Sequence, residues 1–537
     1  MRRRDFIRNS VPVAVLPFLL GGFNVRAYGR SKVLEGLIGA GSPGDRVLVL
    51  IQLNGGNDGL NMVIPLDQYP ALMSARGNIA IPENKILKLT DATGLHPSMI
   101  GLRNLYMAGR VNIVQGVTYP NPNKSHFRGT DIWLTASDAN QTLSTGWLGR
   151  YLDQVYPDFP NGYPDEVAPD PLAIQIGSIV STGLQGPAGS LGMAITSPTS
   201  FYQLLTGGVD TAPDTPAGHE LTFIRQVAQQ TSVYADRIKA AAGKVPVQSS
   251  LYPSPGTNKL ADQLKIVAQL IAGGLKTRIY ITNLGGFDTH SGQVDQTLGT
   301  EYGDHTDLLG KLSEAILAFQ EDLRILRADH RVIGMTFSEF GRRIKSNASF
   351  GTDHGESAPV ILFGKAINRG IIGTNPVIPI PASSTDNLAM QYDFRQVYAS
   401  VLKQWFGVPQ AMLDAVLLQN FQTLPIVGPF PRPALPIINQ NGPVSVAGGV
   451  PERIALHQNY PNPFNPSTTI SFTSTGEPVS IRVYDTLGRE VATVVDGTPG
   501  TGEFSVTFDA SALPAGIYYY RMRSGSFNEV RRMNLVK

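Results

Sequence analysis

The chain has 537 residues, which is more than one hydrophobic core usually organises, so its length predicts two or three domains. Its hydrophobic fraction of 42% and charged fraction of 16% indicate a globular protein and not a disordered one. A formal net charge of +2 argues against nucleic acid as a partner. The absence of cysteine excludes disulfides, thiolate metal ligands and a cysteine nucleophile.

The N-terminus predicts export. A basic start is followed by a short apolar stretch, interrupted by Pro12 and Pro17, and by small residues near Ala27. This order is typical of a signal peptide over residues 1–27, because the apolar part is short for a membrane span; an uncleaved anchor is the alternative. "RRDFI" at residues 3–7 resembles the twin-arginine signal, which implies the twin-arginine machinery as a partner and passage through the periplasm.

Residues 45–424 predict a mostly parallel α/β sheet with helices on both faces. "VLVLIQL", "VNIVQGV", "RIYITNL", "RVIGMTF" and "PVILFG" are near-continuous apolar runs of the kind found in buried strands. Between them lie helical patterns such as "HTDLLGKLSEAILAFQEDLRILRAD". Ligands of such sheets bind at the carboxyl ends of the strands, so the residues that follow each strand are the first candidates for a site.

Side chains with metal-binding or catalytic chemistry follow four predicted strands and occupy one loop. They are Asn57 and Asp58, Ser125 and His126, Asp288 and His290, Glu339 and Arg342, and, in the loop, Asp353 and His354. Carboxylates and neutral imidazoles are common ligands of divalent metals. Five such groups at one edge of a sheet are harder to attribute to caps and turns than one group alone.

Single residues have simpler interpretations, which stay open. Asp288, in "GGFDTHSGQ" at residues 285–293, would also suit a helix cap, and Ser125 an ordinary N-cap. Glu339 and Arg342 would also suit a structural salt bridge.

The other histidines are weaker candidates. His96 is expected to be structural, and His305 is a cap, a surface residue or a distant ligand. His219, His330 and His457 lack acidic neighbours at a strand end and are expected on the surface.

Five motifs carry a resemblance to a known family. "QLNGGNDGLNMVIP", "SHFRGTDIW", "GGFDTHSGQ", "FSEFGRR" and "DHGESAPVILFG" resemble the exported bacterial family called domain of unknown function 1501, over nearly all of residues 45–424. That family is grouped with the alkaline phosphatase superfamily, which includes sulfatases. The resemblance therefore implies an alkaline-phosphatase-like fold and a metal site, but no substrate.

The resemblance also implies roles for individual residues. Ser125 would be the nucleophile, activated by metal coordination at a helix N-terminus. The implied metal ligands are Asp58, Asp288, His290, Glu339 and His354, and the implied substrate-binding residues are Asn57, His126, Arg128 and Arg342. The Asp288–His290 spacing is shorter than the superfamily's, and Glu339 lacks a following histidine. The metal is therefore left open between zinc, in one or two sites, and magnesium or calcium on oxygen ligands.

A conventional sulfatase mechanism is not expected, because the chain has no cysteine and "SHFR" has histidine and phenylalanine where the formylglycine motif needs a proline.

The C-terminal part predicts a separate domain. Residues 425–451 are rich in proline and glycine, as in a linker. Residues 452–537 alternate between short strand patterns and turn signals, which predicts a small β-sandwich. "NYPNPFNPSTTI", "DTLGREV" and "LPAGIYYYRM" resemble the C-terminal sorting domain of the Bacteroidetes type IX secretion system. That resemblance implies the type IX machinery as a partner and a secreted or cell-surface location.

Three functions remain for the central region. The first is a metal-dependent hydrolase of phosphate or sulfate esters. The second is a non-catalytic, metal-stabilised surface protein that binds anionic glycans. The third is a structural protein in which these side chains only cap turns.

Overall fold

The structure is a computed structural model that describes residues 17–20, 23–26, 45–157, 159–166, 168–198, 233–245, 248–428, 444–446, 454–459, 462–486, 489–525 and 527–536. The predicted twin-arginine segment at residues 3–7, His219 and most of the predicted linker lie outside the described residues. Contacts divide the chain into two compact units, residues 1–430 and 431–537.

Strands occur along the whole described chain. In chain order they are β1 (Pro17–Leu20), β2 (Phe23–Arg26), β3 (Val47–Asn54), β4 (Val63–Pro65), β5 (Leu87–Lys88), β6 (Thr93–Leu95), β7 (Val111–Thr118), β8 (Ala173–Ile176), β9 (Gly192–Ile195), β10 (Ile279–Gly285), β11 (Val332–Phe337), β12 (Arg342–Ser346), β13 (Thr352–His354), β14 (Ala358–Gly364), β15 (Gly370–Ile372), β16 (Tyr392–Asp393), β17 (Val444–Val446), β18 (Ala455–Leu456), β19 (Ser467–Thr475), β20 (Val479–Tyr484), β21 (Glu490–Gly497), β22 (Thr501–Asp509), β23 (Gly516–Ser524) and β24 (Phe527–Leu535).

The helices of the described residues all lie in the first unit. They are α1 (Gly59–Met62), α2 (Tyr69–Arg76), α3 (Ile100–Met107), α4 (His126–Thr135), α5 (Trp147–Val155), α6 (Lys259–Ala272), α7 (Asp304–Ile325), α8 (Phe394–Ser400) and α9 (Gln410–Leu417), with a further helical segment at 233–243. Short 3-10 turns lie at Leu66–Gln68, Glu83–Lys85, Thr182–Leu184 and Asp329–Arg331, and a π-helical turn lies at Val401–Trp405.

The first unit is built on one large, mostly parallel sheet. Its strand order is β15-β7-β14-β11-β3-β10-β8-β9, and β16 pairs with β7. Every pairing is parallel except the two made by β14, which is antiparallel to β11 and β7. The predicted fold class, an α/β sheet that is mostly parallel, is confirmed.

Helices cover both faces of this sheet, as the alternation along β3 shows. Val47, Val49 and Ile51 belong to a core cluster shared with α3, α6 and α7. Leu48 and Leu50 point to the other side, into a cluster shared with α4, α5, α8 and α9. Because successive side chains of a strand face opposite ways, burial on both faces needs the continuous apolar run that the sequence has.

The strand ends explain why distant motifs meet. In the parallel register, Asn54 of β3 is paired with Gly285 of β10, and Gln52 with Phe337 of β11. The segments that follow these three strands therefore leave the sheet at one edge. Since β14 runs in the opposite direction, its first residue, Ala358, and the loop before it lie at that same edge.

The second unit is an antiparallel β-sandwich. One sheet has the order β17-β22-β19-β18 and the other β21-β20-β23-β24. Inward side chains of both sheets form a single apolar cluster, including Phe472 and Phe504 from one and Ile481 and Tyr520 from the other. This confirms the small β-sandwich predicted for the C-terminal residues.

The described part of the chain contains no helix with both the length and the apolar character that crossing a bilayer requires.

Candidate metal centre

The loop after β10 packs against the turn after β3. Gly55 has a φ of 123°, and a Cβ atom there would lie 2.3 Å from the backbone nitrogen of Asp288. Only glycine allows both this backbone conformation and this close approach. No helix begins directly after Asp288, since α7 starts at Asp304, so a helix cap does not account for the Asp288 carboxylate.

Three side chains from three segments converge beside this turn. His126, Asp288 and His354 each offer a ligand atom, and the three atoms lie within 4.8 Å of one another. The Nε2 of His126 lies 3.3 Å from Asp288 Oδ2, and the Nε2 of His354 lies 3.1 Å from Asp288 Oδ1. His290 extends the cluster, with its Nε2 2.9 Å from His354 Nε2 and 3.2 Å from Asp288 Oδ1.

Each imidazole is oriented by an acceptor at its other nitrogen. The Nδ1 of His126 lies 2.8 Å from Glu339 Oε1, and that of His354 lies 2.9 Å from the carbonyl oxygen of Lys124. The Nδ1 of His290 faces Asp353 Oδ1 at 3.4 Å. An acceptor at Nδ1 assigns the hydrogen to that nitrogen and leaves a lone pair on Nε2. The three lone pairs therefore point into the cluster.

The Asp288 carboxylate is held ionised at the centre. Burial raises its pKa, but the hydrogen bond and positive charge of Arg342, together with the neighbouring His354 and His126, outweigh burial and lower the pKa to about 2. Arg342 Nη2 donates to Asp288 Oδ1 at 2.7 Å. Burial lowers the pKa of His354, which favours the neutral imidazole. Neutral imidazoles around a carboxylate form a suitable set of ligands for a cation.

Glu339 lies behind the cluster, although the resemblance made it a metal ligand. Its Oε1 accepts from the N–H of Gly55 at 2.8 Å and faces His126 Nδ1, and its side chain is buried. It therefore orients His126, as a carboxylate commonly does for a metal-bound histidine. The salt bridge to Arg342 that the sequence left open does not form, because Arg342 pairs with Asp288.

Asp58 also differs from its implied role as a ligand. Its Oδ2 accepts from Arg76 Nη1 at 2.7 Å and from Gln293 Nε2 at 2.6 Å, and its Oδ1 accepts from Arg76 Nη1 at 2.9 Å and from the N–H of Leu60 at 3.3 Å. Both Asp58 and Arg76 are at most 1% exposed. The guanidinium thus supplies the positive charge that a second metal would otherwise provide, and the carboxylate has no free position for an ion.

The implied substrate-binding residues are engaged elsewhere or take another role. Arg342 is buried, and besides Asp288 it donates to the carbonyl oxygens of Gly55, Gly56, Phe287 and Thr352. Arg128 pairs with Asp131 and donates to the carbonyl oxygens of Asp138, Ala139 and Gln141. Asn57 is buried, with its Oδ1 3.0 Å from His305 Nε2. His126 belongs to the cluster itself.

Ser125 begins α4 as its N-cap, as one alternative predicted. Its side chain makes no capping hydrogen bond, and the residue is exposed. The hydroxyl is therefore not committed to the helix.

A pocket of about 440 Å³ opens beside the cluster. Its lining residues are Gln52, Asn54, Gly55, His126, Phe127, Thr130, Asp288 and Glu339. The sequence did not single out Gln52, Asn54, Phe127 or Thr130. Gln52 and Asn54 could have been found from the sequence, because they are polar residues at the end of the apolar run that forms β3.

The donor set fits one divalent cation. Three carboxylates (Asp288, Glu339 and Asp353) lie in or against the cluster, opposed by the guanidinium of Arg342. The facing Nε2 lone pairs of His290 and His354 repel each other at 2.9 Å unless a proton or a metal ion lies between them. Imidazole nitrogens with one carboxylate are ligands that zinc accepts.

Comparison with known families places most of these side chains in one region. A family model described as "Protein of unknown function (DUF1501)" matches residues 258–417, which include Asp288, His290, Glu339 and His354. His126 lies outside the DUF1501 match, and the fold brings it to the cluster.

A second family model, "Secretion system C-terminal sorting domain", matches residues 458–535. The chain is therefore a type IX secretion substrate, destined for the cell surface or the extracellular space. No curated protein matches the sequence.

Solved structures give distant matches to this chain. PorZ, a surface component of the type IX secretion system of Porphyromonas gingivalis, is 20% identical over 16% of this chain, which spans 12% of PorZ, with a TM-score of 0.13. A member of the alkaline phosphatase superfamily from Vibrio parahaemolyticus is 10% identical, covering 91% of this chain and 83% of that one (TM-score 0.35). The phosphonate monoester hydrolase SpPMH from Silicibacter pomeroyi is 9% identical, covering 91% and 89% (TM-score 0.30). Similarity at this level says nothing about activity.

Proposed function

We propose that the protein is a secreted, metal-dependent hydrolase of phosphate or sulfate esters. The observation that carries the proposal is the convergence of three histidine Nε2 atoms and the Asp288 carboxylate beside a pocket, with an acceptor fixing each Nδ1. A role in capping turns would not explain why each histidine has an acceptor at Nδ1 and directs its Nε2 toward the same cluster.

Zinc is the proposed metal, held by His126, Asp288, His290 and His354. Three nitrogen donors and one carboxylate suit zinc, whereas magnesium and calcium prefer a shell of oxygen ligands. When bound, a divalent ion at these residues supplies positive charge to an ester oxygen and activates an oxygen nucleophile. A single ion is proposed, because Arg76 occupies the carboxylate of Asp58.

The surrounding residues keep the ligands in place. Arg342 is fully buried and holds Asp288 through a charge-assisted hydrogen bond, so its role is positioning and not contact with substrate. Glu339 fixes the ring of His126, and the Lys124 carbonyl fixes that of His354. Ligands restrained in this way lose little entropy when the ion binds.

The nucleophile is proposed to be the Ser125 hydroxyl at the N-terminus of α4. The ten-residue helix directs unpaired N–H groups and a positive partial charge toward an anion at its start. Thr130 is the alternative hydroxyl, because it lines the pocket whereas Ser125 does not.

A panel of phosphate and sulfate esters tests the proposal. Turnover by the zinc-loaded protein, lost on chelation and restored by added zinc, is the expected result. Zinc-dependent binding of the esters without turnover would instead support a non-catalytic surface protein that binds anionic glycans. A protein that binds neither metal nor ester would leave only a structural role.

A further inference from the structure

Strand β3 changes character as it reaches the pocket. On one face of the strand, Leu48 and Leu50 lie in the core. The next two residues on that face are Gln52 and Asn54, which line the pocket. These last two side chains are only partly buried, unlike the apolar residues before them. Apolar side chains on this face would stabilise the fold by packing in the core. Two carboxamides at the end of the strand do not contribute to that packing, so core formation does not explain them.

Three polar side chains of this wall have no hydrogen-bond partner in the described part of the chain. The side chains of Gln52, Asn54 and Thr130 make no hydrogen bond with any described residue. A carboxamide both donates and accepts, and so does a hydroxyl. The pocket therefore offers mixed donors and acceptors to a neutral polar group, beside the residues that would hold a cation, and that cation would bind an anionic group.

Phe127 adds an aromatic surface to the same pocket. It lies in the first turn of α4, next to His126, and it is 91% exposed while lining the pocket. A side chain that is this exposed does not stabilise the hydrophobic core. An aromatic face beside free hydrogen-bonding groups suits a ligand with an apolar face and a polar edge.

We infer that the pocket binds a sugar ring, so that the ester acted on is carried by a carbohydrate. The inference rests on the proposed function and names its substrate class. A pyranose presents C–H groups to an aromatic face and hydroxyls at its edge, and each hydroxyl donates and accepts. Gln52 and Asn54 lie two residues apart on one strand, roughly 6.6 Å. They therefore serve separate hydroxyls, whereas a nucleobase would need both amides along one edge.

Binding of matched esters tests this inference on the full secreted protein loaded with zinc. The probes are glucose 6-sulfate against methyl sulfate, glucose 6-phosphate against methyl phosphate, and adenosine monophosphate, measured by titration calorimetry. We expect the sugar esters to bind about tenfold more tightly than the methyl esters. In Phe127→Ala that ratio should fall close to one, and in Gln52→Ala it should fall severalfold. Val377→Ala, which removes a side chain that is 80% exposed and not in the pocket, should keep it.

The outcomes separate the two proposals. Equal affinity for sugar and methyl esters, an unchanged ratio in Phe127→Ala, or tighter binding of adenosine monophosphate than of the sugar phosphate would overturn the sugar ring and leave the metal-dependent ester site standing. Absence of zinc-dependent binding for every ester would overturn the proposed function, and the inference with it.

Discussion

The Nε2 atoms of His290 and His354 lie 2.9 Å apart, although 64 positions separate the two residues in the chain. Each ring has its Nδ1 beside an acceptor, Asp353 for His290 and the Lys124 carbonyl for His354. Two lone pairs facing at this distance are stable only with a cation or proton between them. This relationship is the basis for treating the cluster as a metal centre.

Glu339→Gln tests the orientation of His126. The amide keeps the size of the side chain but removes the charge that makes the imidazole a stronger ligand. Zinc affinity should fall by about 10- to 100-fold, measured by competition with a chelator of known affinity. Glu356→Gln is the matched control, because Glu356 pairs with Lys124 at the surface, where both side chains are about one-third exposed. Equal affinity in the two variants would remove Glu339 from the centre.

Ser125→Ala tests the nucleophile. If its hydroxyl attacks the ester, turnover should fall by more than about a thousandfold while the zinc content stays the same. Thr130→Ala should then alter KM more than kcat. The reverse pattern, full turnover in Ser125→Ala and none in Thr130→Ala, would transfer the role to Thr130.

Stability should fall on mild acidification, because two buried histidines must stay neutral. Burial lowers the pKa of His96 to about 3 and that of His305 to about 4, against about 6.5 in the unfolded chain. Between pH 6.5 and 4 the unfolded state binds more protons, so the stability present above pH 6.5 is lost as the pH falls. Each histidine lowers the free energy of unfolding by up to about 1.4 kcal/mol per pH unit.

Urea unfolding at pH 7, 6 and 5 with chelator present measures this slope. His96→Gln should reduce it, because one of the two groups is removed. His457→Gln, on the exposed surface of the second unit, should not change it. Equal slopes in wild type and His96→Gln would contradict the role of the buried pair.

The sequence was sufficient to predict the edge of the sheet at which these side chains meet. Continuous apolar runs indicated buried parallel strands, and the residues after β10 and β11 and before β14 do meet. The partner of each side chain was not predictable, because it depends on tertiary packing. Arg76 lies in a separate helix, 18 residues further along the chain, and donates to Asp58. No local sequence pattern predicts this pair.

The position of His126 also depends on tertiary packing that the sequence does not reveal. The sequence placed it at a helix start among substrate-binding residues, and the fold turns its Nε2 toward Asp288. The proposed roles of His126 and Glu339 are the reverse of those that the resemblance implied, because His126 Nε2 faces Asp288 whereas Glu339 Oε1 faces His126 Nδ1. The spacing of residues along the chain does not determine which of two neighbouring side chains faces Asp288.

The twin-arginine segment remains a prediction, and a double substitution tests it. Replacing Arg3 and Arg4 together with lysine should block export, because the translocase reads the arginine pair and not the charge. The amount of processed protein outside the cytoplasm is the measurement, and Arg8→Lys is the control outside the motif. Normal processing of the double variant would refute the twin-arginine route.

Element-resolved metal content per chain, measured on protein purified without chelator, tests the metal centre most directly. Two matched substitutions sharpen it. Asp288→Asn should lose the metal. Asp58→Asn should keep it while losing about 3–5 kcal/mol of stability, since Arg76 is left buried without its partner. We predict one zinc ion per chain in wild type and Asp58→Asn, and almost none in Asp288→Asn. Metal-free wild-type protein, or two ions per chain with one lost in Asp58→Asn, would contradict the single centre on His126, Asp288, His290 and His354.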